Sequence, residues 1–453
     1  MLNPKSMNRI AHVDGLRAVA VLSVLAYHLG FTATPGGFVG VDVFFVISGY
    51  VITRMLRKDI DQRRFSFVHF YAGRARRLLP ALFVTIALTA IAAGMIMTPA
   101  HLQEFAGSVV SAVLGWSNIF FWSKAGYFDA AANTRPLLHT WTLSVEWQFY
   151  VIWPAFLLAA LAVRKAWFAP TAIALAALVS LAGSIYFQND PTTIFYQMPF
   201  RIFEFAIGAL ILWIPKVRGQ LLGDIATAAG LVLIGYAIAA YSDQTVFPSY
   251  NALPPAIGGA LVIWGAERGA LGWIVANPVA AYLGRISYST YLIHWPLIIC
   301  YSYTQFRALS VPEAWAIGGL SIVLGAAMYH WIELPFWKGA LSRMPGWRGP
   351  LVSAVAALLL IAPAIHALGD GWSWRLSEAA RLQAGNATQF HLDPYGGAGF
   401  DVNLLTRLGE GEPKLTVAGD SHALQFAYGL ATTLAERHAG AIALFDHGCF
   451  IAP

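Results

Sequence analysis

Four ionisable side chains lie within two apolar segments near the N-terminus of this chain. Asp14, Arg17 and His28 belong to the stretch DGLRAVAVLSVLAYH, and Asp42 belongs to GGFVGVDVFFVISGY. A charge at the centre of a membrane helix costs about 2.5 to 3.5 kcal/mol on insertion scales, so such residues normally face a polar interior with a partner or a chemical task. The pattern indicates a reaction site inside a membrane.

His28 has the position of a general base. Arg17 and His28 lie eleven residues apart, which is three helical turns plus about 20° and about 16 Å along the axis, so they share a face. Asp42 and Glu146 are expected at the depth of His28. A carboxylate beside an imidazole fixes its tautomer and stabilises the imidazolium formed when histidine removes a hydroxyl proton. We predict His28 as the base, with Glu146 or Asp42 as its partner; the alternative is a polar cluster that only locks helix packing.

Arg74 and Arg77 form a candidate phosphate site. They are three residues apart and share one helix face, and guanidinium groups bind phosphate through paired hydrogen bonds. Seen alone, such a pair is more often a cytoplasmic membrane anchor. Arg17, which is expected to lie deeper, either receives the same phosphates or pairs with Asp14.

Other polar residues in the apolar segments have structural interpretations first. Arg201 and Glu204 are expected to form an ion pair inside the membrane. His139 and Trp141 either line the entrance for an acceptor or belong to an aromatic belt at the interface. His294 is interpreted first as a packed core histidine and second as a relay for an acyl group.

Ser421 lies on a predicted turn between a strand and a helix. The segment KLTVAGDSHALQFAYGLATTLAER predicts a short strand, a tight turn and an amphipathic helix from about residue 423. A serine at the positive end of a helix, where backbone N–H groups stabilise an oxyanion, has the geometry of a nucleophile. Helix capping is the alternative, because Asp and Ser are favoured caps.

The composition indicates a polytopic membrane protein. The chain is 58% hydrophobic and 11% charged, against about 25% charged residues in soluble domains. Its two cysteines, Cys300 and Cys449, give neither a disulfide framework nor zinc spacing. We predict no metal site, and no tightly bound cofactor is expected. The first segment lacks a clean signal-peptide core and cleavage site, so it is expected to stay attached. The net charge of +6 fits basic cytoplasmic loops, and nucleic acid is not an expected partner.

Eleven membrane spans explain the distribution of charge between loops. Taking about 20 apolar residues per crossing, the sequence predicts helices at 11–30, 37–56, 78–98, 141–163, 167–187, 198–215, 221–242, 254–267, 279–304, 312–333 and 350–368. If the apolar run 105–122 also crossed, twelve spans would put several basic loops outside, against the positive-inside rule. We therefore expect the N-terminus inside and the C-terminus outside. The loops 188–197 and 243–253, which contain no Lys or Arg, then fall outside.

The expected fold is an all-α polytopic membrane helix bundle followed by a truncated α/β exported domain. Residues 1–340 form the membrane domain and 341–368 an additional transmembrane helix. The stretch 369–413, rich in Gly, Asn, Asp and Arg, reads as an exported linker or small extension, and 414–453 as the first piece of the α/β domain.

Six segments, taken in order, resemble the membrane-bound acyltransferase family 3. They are DGLRAVAVLSVLAYH, GGFVGVDVFFVISGY, FYAGRARRLLPAL, LLHTWTLSVEWQFY, FRIFEFAIG and GRISYSTYLIHWPL. The tetrapeptide GDSH resembles the first block of SGNH hydrolase-type domains, which supplies a serine nucleophile. Such a fusion is typical of bacterial O-acetyltransferases that act on lipopolysaccharide O-antigen or peptidoglycan.

The resemblance implies an O-acetyltransferase of the bacterial inner membrane. It implies acetyl-CoA as the donor and a cell-surface polysaccharide, or its lipid-linked precursor, as the acceptor. Catalysis would fall to His28, Glu146, Asp42 and Ser421, and coenzyme A binding to Arg17, Arg74 and Arg77. The later SGNH blocks are not found: 32 residues follow Ser421, and Asp446 and His447 are adjacent rather than at DxxH spacing. The chain is therefore expected to be a fragment.

Two other functions are compatible with buried charges in a membrane. One is a transporter or a lipid-linked glycan flippase, against which the chain has no internal repeat and no paired broken helices. The other is a de-O-acetylase in the exported part, which needs the missing histidine block.

Overall fold

The computed structural model describes residues 10–125, 134–305, 307–338, 348–377, 405–409, 411–419 and 427–445, and this part of the chain is mostly helical. Its α-helices are α1 (Ala11–His28), α2 (Gly40–Asp61), α3 (Phe67–Ile96), α4 (Pro99–Leu114), α5 (Ser117–Lys124), α6 (Thr140–Ala162), α7 (Phe168–Tyr186), α8 (Pro191–Tyr196), α9 (Ile202–Leu210), α10 (Gln220–Ala240), α11 (Leu253–Gly265), α12 (Trp273–Ala276), α13 (Pro278–Gln305), α14 (Val311–Met328), α15 (Leu334–Lys338), α16 (Arg348–Asp370) and α17 (Ala427–Glu436). A π-helical turn, Tyr329–Glu333, joins α14 to α15.

Seven helical segments in the described residues are long and apolar enough to cross a membrane. They are Gly37–Asp61, Phe67–Ile96, Thr140–Ala162, Phe168–Tyr186, Gln220–Ala240, Val311–Lys338 and Leu351–Asp370. The predicted spans at 198–215 and 254–267 contain the short helices α9 and α11, of 9 and 13 residues. At 1.5 Å per residue, neither helix alone matches a hydrocarbon core of about 30 Å. The count of eleven therefore stays a prediction, whereas a multi-pass helix bundle is what the structure has.

The ambiguous run 105–122 contains two short helices rather than one span. Helix α4 has 16 residues and α5 has 8, and Gly115 separates them with a φ of +79°. A left-handed conformation is accessible to glycine without strain, so the chain turns here. Neither helix has the length of about 20 residues that one crossing needs.

Helices α1 and α13 approach each other backbone to backbone. A Cβ atom added at Gly284 would lie 1.6 Å from the carbonyl oxygen of Asp14, so only glycine fits this contact. Helices α2 and α9 make a similar contact, in which Gly49 faces the carbonyl of Phe205 and Gly208 faces that of Val46. These contacts set how closely the helices that carry the polar side chains pack together.

The chain divides into two compact units, Met1–Met97 with His101–Gly369, and Thr98–Ala100 with Asp370–Pro453. The second unit contains a three-stranded sheet of β1 (Leu405–Gly409), β2 (Pro413–Gly419) and β3 (Gly440–Phe445), in the order β1-β3-β2. Strand β3 pairs antiparallel with β1 and parallel with β2. Helix α17 lies between β2 and β3 in the chain, as is usual for a parallel pair; the truncated α/β domain expected for 414–453 stays a prediction. Strand β1 lies inside the stretch that composition marks as a linker.

Candidate active site

His28 forms a hydrogen bond with a second histidine. His28 Nδ1 lies 3.0 Å from His294 Nε2, and His294 Nδ1 lies 2.6 Å from the carbonyl oxygen of Tyr291. The planes of the two imidazole rings differ by 14°, with their centroids 5.2 Å apart. The rings therefore meet edge to edge, and the hydrogen bond runs in their common plane.

This chain of contacts fixes the tautomer of both rings when they are neutral. A carbonyl only accepts, so His294 Nδ1 carries a proton and donates it to Tyr291. His294 Nε2 is then an acceptor, and His28 Nδ1 donates to it. The lone pair of His28 is left on Nε2, which is the nitrogen a general base needs free. The Trp295 ring packs on His28 at 4.6 Å between centroids and donates its Nε1–H to the carbonyl of Arg135, which holds the imidazole in place.

The structure gives the two carboxylates predicted beside His28 other partners. Asp42 is fully buried and lies 3.3 Å from Arg201, which also contacts Glu204 at 3.2 Å. The predicted ion pair between Arg201 and Glu204 is present, and Asp42 completes it. Because a buried carboxylate needs a counter-charge, Asp42 is held by the guanidinium rather than by the imidazole.

Glu146 also lies away from the imidazole pair. Its carboxylate accepts hydrogen bonds from the hydroxyl groups of Ser48 and Tyr150. Glu146 and Ser48 line a small cavity with Arg17 and Arg74. The carboxylate therefore faces guanidinium groups, and its predicted role as the partner of His28 is taken by His294.

Three neighbouring cavities share lining residues in the first unit. The basic cavity, of about 620 Å³, is lined by seven Arg and Lys and three Asp and Glu side chains. They are Arg17, Arg54, Lys58, Arg64, Arg74, Arg77 and Arg285, with Asp14, Asp59 and Glu333. The narrow cavity, of about 90 Å³, shares Arg17, Arg74 and Arg77 with the basic cavity. It shares Val41 and Tyr291 with the third, the aromatic cavity.

Arg74 and Arg77 line the basic cavity without a carboxylate partner. Within the described residues neither lies within 4.0 Å of Asp or Glu, and the buried Nε atoms of both lack a hydrogen-bond partner. Arg77 stacks over Trp337, with its guanidinium carbon 4.9 Å from the ring centroid. Arg17, by contrast, pairs with Asp14 at 3.1 Å while still lining the cavity. Both alternatives that the sequence left open for Arg17 are therefore compatible with its position.

The aromatic cavity, of about 460 Å³, contains His28 and His139. Eight aromatic side chains line it, namely Tyr27, Phe38, Trp141, Phe195, Tyr196, Phe247, Tyr291 and Trp295. Arg201 also lines this cavity, surrounded by the rings of Phe45, Trp141, Phe195 and Phe247 at 5.4 to 5.8 Å. His139 and Trp141 both line this cavity and are both buried; their role at an acceptor entrance stays a prediction.

Ser421 lies outside the described residues, as do Asp446 and His447. Its predicted role as a nucleophile stays a prediction. The signal that sequence reasoning undervalued is His294, a histidine inside the apolar segment 279–304, for which packing was the first interpretation. An unexplained histidine in a membrane helix is itself a reason to look for a second polar group at the same depth.

Comparisons with known proteins assign the family. The family model described as "Acyltransferase domain" matches residues 10–331. The chain is 32% identical over 369 residues to "Putative peptidoglycan O-acetyltransferase YrhL" of Bacillus subtilis, covering 72% of this chain and 54% of that protein. It is 29% identical to "Peptidoglycan O-acetyltransferase OatA" of Listeria monocytogenes, covering 76% of this chain and 58% of that protein.

A third relative, "Putative membrane-bound transacylase BcsY" of Komagataeibacter xylinus, is 33% identical, with 72% of this chain and 82% of that protein covered. The matches thus span little more than half of the first two relatives. No solved structure matches the chain. The family match covers most of the chain and nearly all residues that line the three cavities, and the relatives are named as acyl-transferring enzymes. The chain therefore belongs to acyltransferase family 3, whose members are expected in the membrane as this multi-pass helix bundle is.

Proposed function

We propose that this enzyme transfers an acyl group, acetyl in the first instance, from acyl-CoA on the cytoplasmic side to a glycan hydroxyl on the outer side. The observation that carries the proposal is the order of the three cavities. Arg74 and Arg77, which have no carboxylate partner, line the basic cavity, and the oriented His28 lines the aromatic cavity. Helix α1 contributes Arg17 to the basic cavity and His28 to the aromatic cavity.

The loops that line each end support this orientation. Lys58 and Asp59, from the last turn of α2, and Arg64, from the loop that follows, line the basic cavity. Thr192 and Asp243, from the two loops without Lys or Arg, line the aromatic cavity. Basic loops stay in the cytoplasm, so the basic cavity opens inward and the aromatic cavity outward.

Arg74 and Arg77 fit the phosphate groups of coenzyme A. Their guanidinium groups have no carboxylate partner and can each donate two parallel hydrogen bonds to phosphate oxygens. Their burial strengthens the attraction by excluding water. The pantetheine arm would then extend through the narrow cavity toward His28. Along α1, the distance from Arg17 to His28 is about 16 Å, which suits a long, thin donor arm rather than a whole nucleotide.

The aromatic cavity fits a sugar. One face of a pyranose ring consists mainly of C–H groups, which pack on aromatic rings, whereas its hydroxyls need a few polar partners. His28 Nε2 would remove the proton from the acceptor hydroxyl, and the oxygen would attack the thioester carbonyl. The carbon–sulfur bond then breaks, and the thiolate of coenzyme A receives the proton.

The acceptor is proposed to be lipopolysaccharide O-antigen, with peptidoglycan as the alternative. Two relatives bear names that state peptidoglycan O-acetylation, which is the observation in favour of the alternative. Mass spectrometry of both polymers, from cells with and without the protein, distinguishes them, because the acetylated polymer gains one acetyl mass per modified sugar.

The His28→Ala variant tests the reaction itself. A proton-transfer role contributes about 10² to 10⁴ in rate and little to binding, so the variant should insert and bind acyl-CoA normally yet leave the glycan unacetylated. Near-normal acetylation by a well-inserted variant would contradict the mechanism. No acetyl difference in either polymer would contradict the proposed acceptors.

A further inference from the structure

His139 is buried in the wall of the aromatic cavity with both ring nitrogens unpartnered. Its side chain is 3% exposed, and neither Nδ1 nor Nε2 has a hydrogen bond. The backbone of Leu292 runs beside the ring, but no hydrogen bond of good geometry joins them. An unsatisfied buried polar group costs about 1 to 3 kcal/mol. A hydrogen bond from His139 to a bound molecule would remove that cost.

The histidine is held rigidly at the start of α6. Its carbonyl oxygen accepts hydrogen bonds of 3.0 Å from the hydroxyl groups of Tyr291 and Thr142. Its ring lies 5.8 Å from that of His294 and 5.5 Å from that of Tyr291, measured between centroids. His139 and His28 therefore flank the same ring, His294, and both face the aromatic cavity. In the residues described, these histidines do not form a group that could hold a metal ion.

The transfer reaction needs a hydrogen-bond donor beside the base. When the acceptor oxygen attacks, negative charge develops on the carbonyl oxygen of the acyl group, and a preorganised donor at that point lowers the barrier. Three other donors that line the cavity already face protein acceptors. Trp295 donates to the carbonyl of Arg135, and Tyr27 to Asp243, while Arg201 is paired with two carboxylates.

We propose that His139 is a catalytic residue, whose ring N–H donates to the carbonyl oxygen of the acyl group and stabilises the oxyanion. The inference rests on the proposed function, and it adds to the general base, His28, a second residue that stabilises the oxyanion. As the acceptor C–O bond forms, the carbonyl electron pair moves to the oxygen held by His139, and His28 takes the hydroxyl proton. When the C–S bond breaks, the pair returns and the proton passes to the sulfur. A neutral imidazole serves as the electrophile in this way.

The test compares donor-keeping and donor-removing variants of the full chain in detergent, with labelled acetyl-CoA and the acceptor on which the wild type acts. His139→Ala should lower kcat about 100-fold, with little change in the KM of either substrate. Of His139→Gln and His139→Asn, the one whose amide reaches the position of the ring N–H should recover much of kcat. His101→Ala removes a histidine bonded to Tyr303 outside the cavities and is the matched control, with unchanged kcat.

The outcomes separate the inference from the proposed function. An unchanged kcat, or a rise confined to the KM of the acceptor, would overturn the oxyanion role. Failure of both amides to recover activity, with acyl-CoA binding and thermal stability intact, would also overturn it, because the residue would then act by proton transfer. A wild-type protein that transfers no acetyl group would instead overturn the proposed function.

Discussion

At the scale of single residues, His28, the proposed base, is oriented by a main-chain carbonyl acting through an imidazole, not by a carboxylate. The two kinds of partner stabilise a protonated His28 in different ways. A carboxylate would stabilise a positive charge on His28 by attraction, whereas His294 would share that charge by taking the Nδ1 proton through the hydrogen bond of 3.0 Å. The relay ends at the carbonyl of Tyr291, which does not titrate, so the direction of the donors is fixed by the fold.

Substitution of His294 tests the relay. In His294→Gln the amide oxygen can still accept the proton on His28 Nδ1, whereas His294→Leu leaves that N–H unpaired. We expect Leu to lower kcat at least about tenfold, because the tautomer with the lone pair on Nε2 loses its support, and Gln to keep part of the rate. Steady-state kinetics at saturating acetyl-CoA measure the effect. Equal rates for the two variants would show that His294 only fills space.

The arginine pair gives a prediction about binding rather than rate. Arg74→Ala combined with Arg77→Ala should raise the Kd for acyl-CoA, because the two proposed phosphate contacts are lost. Replacement of both arginines by Lys should lower the Kd only part of the way back, because Lys lacks the planar guanidinium group that forms two parallel hydrogen bonds. Isothermal titration in detergent measures the Kd. Arg76→Ala is the matched control, since Arg76 bonds the carbonyl of Ala72 in its own helix. An unchanged Kd in the double variant would mean that the two arginines serve only as a cytoplasmic membrane anchor.

At the scale of elements, the close contact of α1 with α13 brings the two histidines together. The contact depends on Gly284, because a methyl group there would meet the carbonyl oxygen of Asp14 at 1.6 Å. The two helices must separate to admit it, and His28 is carried on one helix while His294 is carried on the other.

Gly284→Ala should therefore lower both stability and acyl transfer. Overpacking typically costs about 1 to 3 kcal/mol, and the altered spacing would lengthen the hydrogen bond between the imidazoles. Gly319→Ala, in α14, is the matched control, because no atom lies within 4 Å of the added Cβ and Ala is favoured in helices by about 0.5 to 1 kcal/mol. The measurements are the thermal unfolding and the acyl-transfer rate of the Gly284→Ala and Gly319→Ala variants. Equal stability of the two variants would contradict the packing argument.

The part of the site that the sequence predicted is the part set by local spacing. The pairs of Arg17 with Asp14 and of Arg201 with Glu204 join residues three apart, and helical periodicity alone places them on one face. The contact between His28 and His294 joins residues 266 positions apart. Hydrophobic periodicity locates helices along the chain but does not say which helices are neighbours, so it marks His294 as a histidine in an apolar segment without pairing it with His28.

At the scale of the whole molecule, the distribution of basic residues predicts the orientation in the membrane. A periplasm-active reporter fused after Asp243 or Asp370 should be active, and one fused after Lys216 should be inactive, because Lys and Arg are retained in the cytoplasm. Enzyme activity of the reporter in intact cells is the measurement. An inactive fusion after Asp370 would favour twelve spans and place the second unit in the cytoplasm.

The small size of the narrow cavity bears on how the membrane stays electrically insulated. The basic and aromatic cavities, at the two ends of α1, would form a leak for protons and salt if they joined freely. A space of about 90 Å³ admits only a few water molecules, and its guanidinium groups repel cations. Liposomes containing the protein should accordingly hold a proton gradient in the absence of substrate, and the donor arm would seal the passage further while it delivers its acyl group.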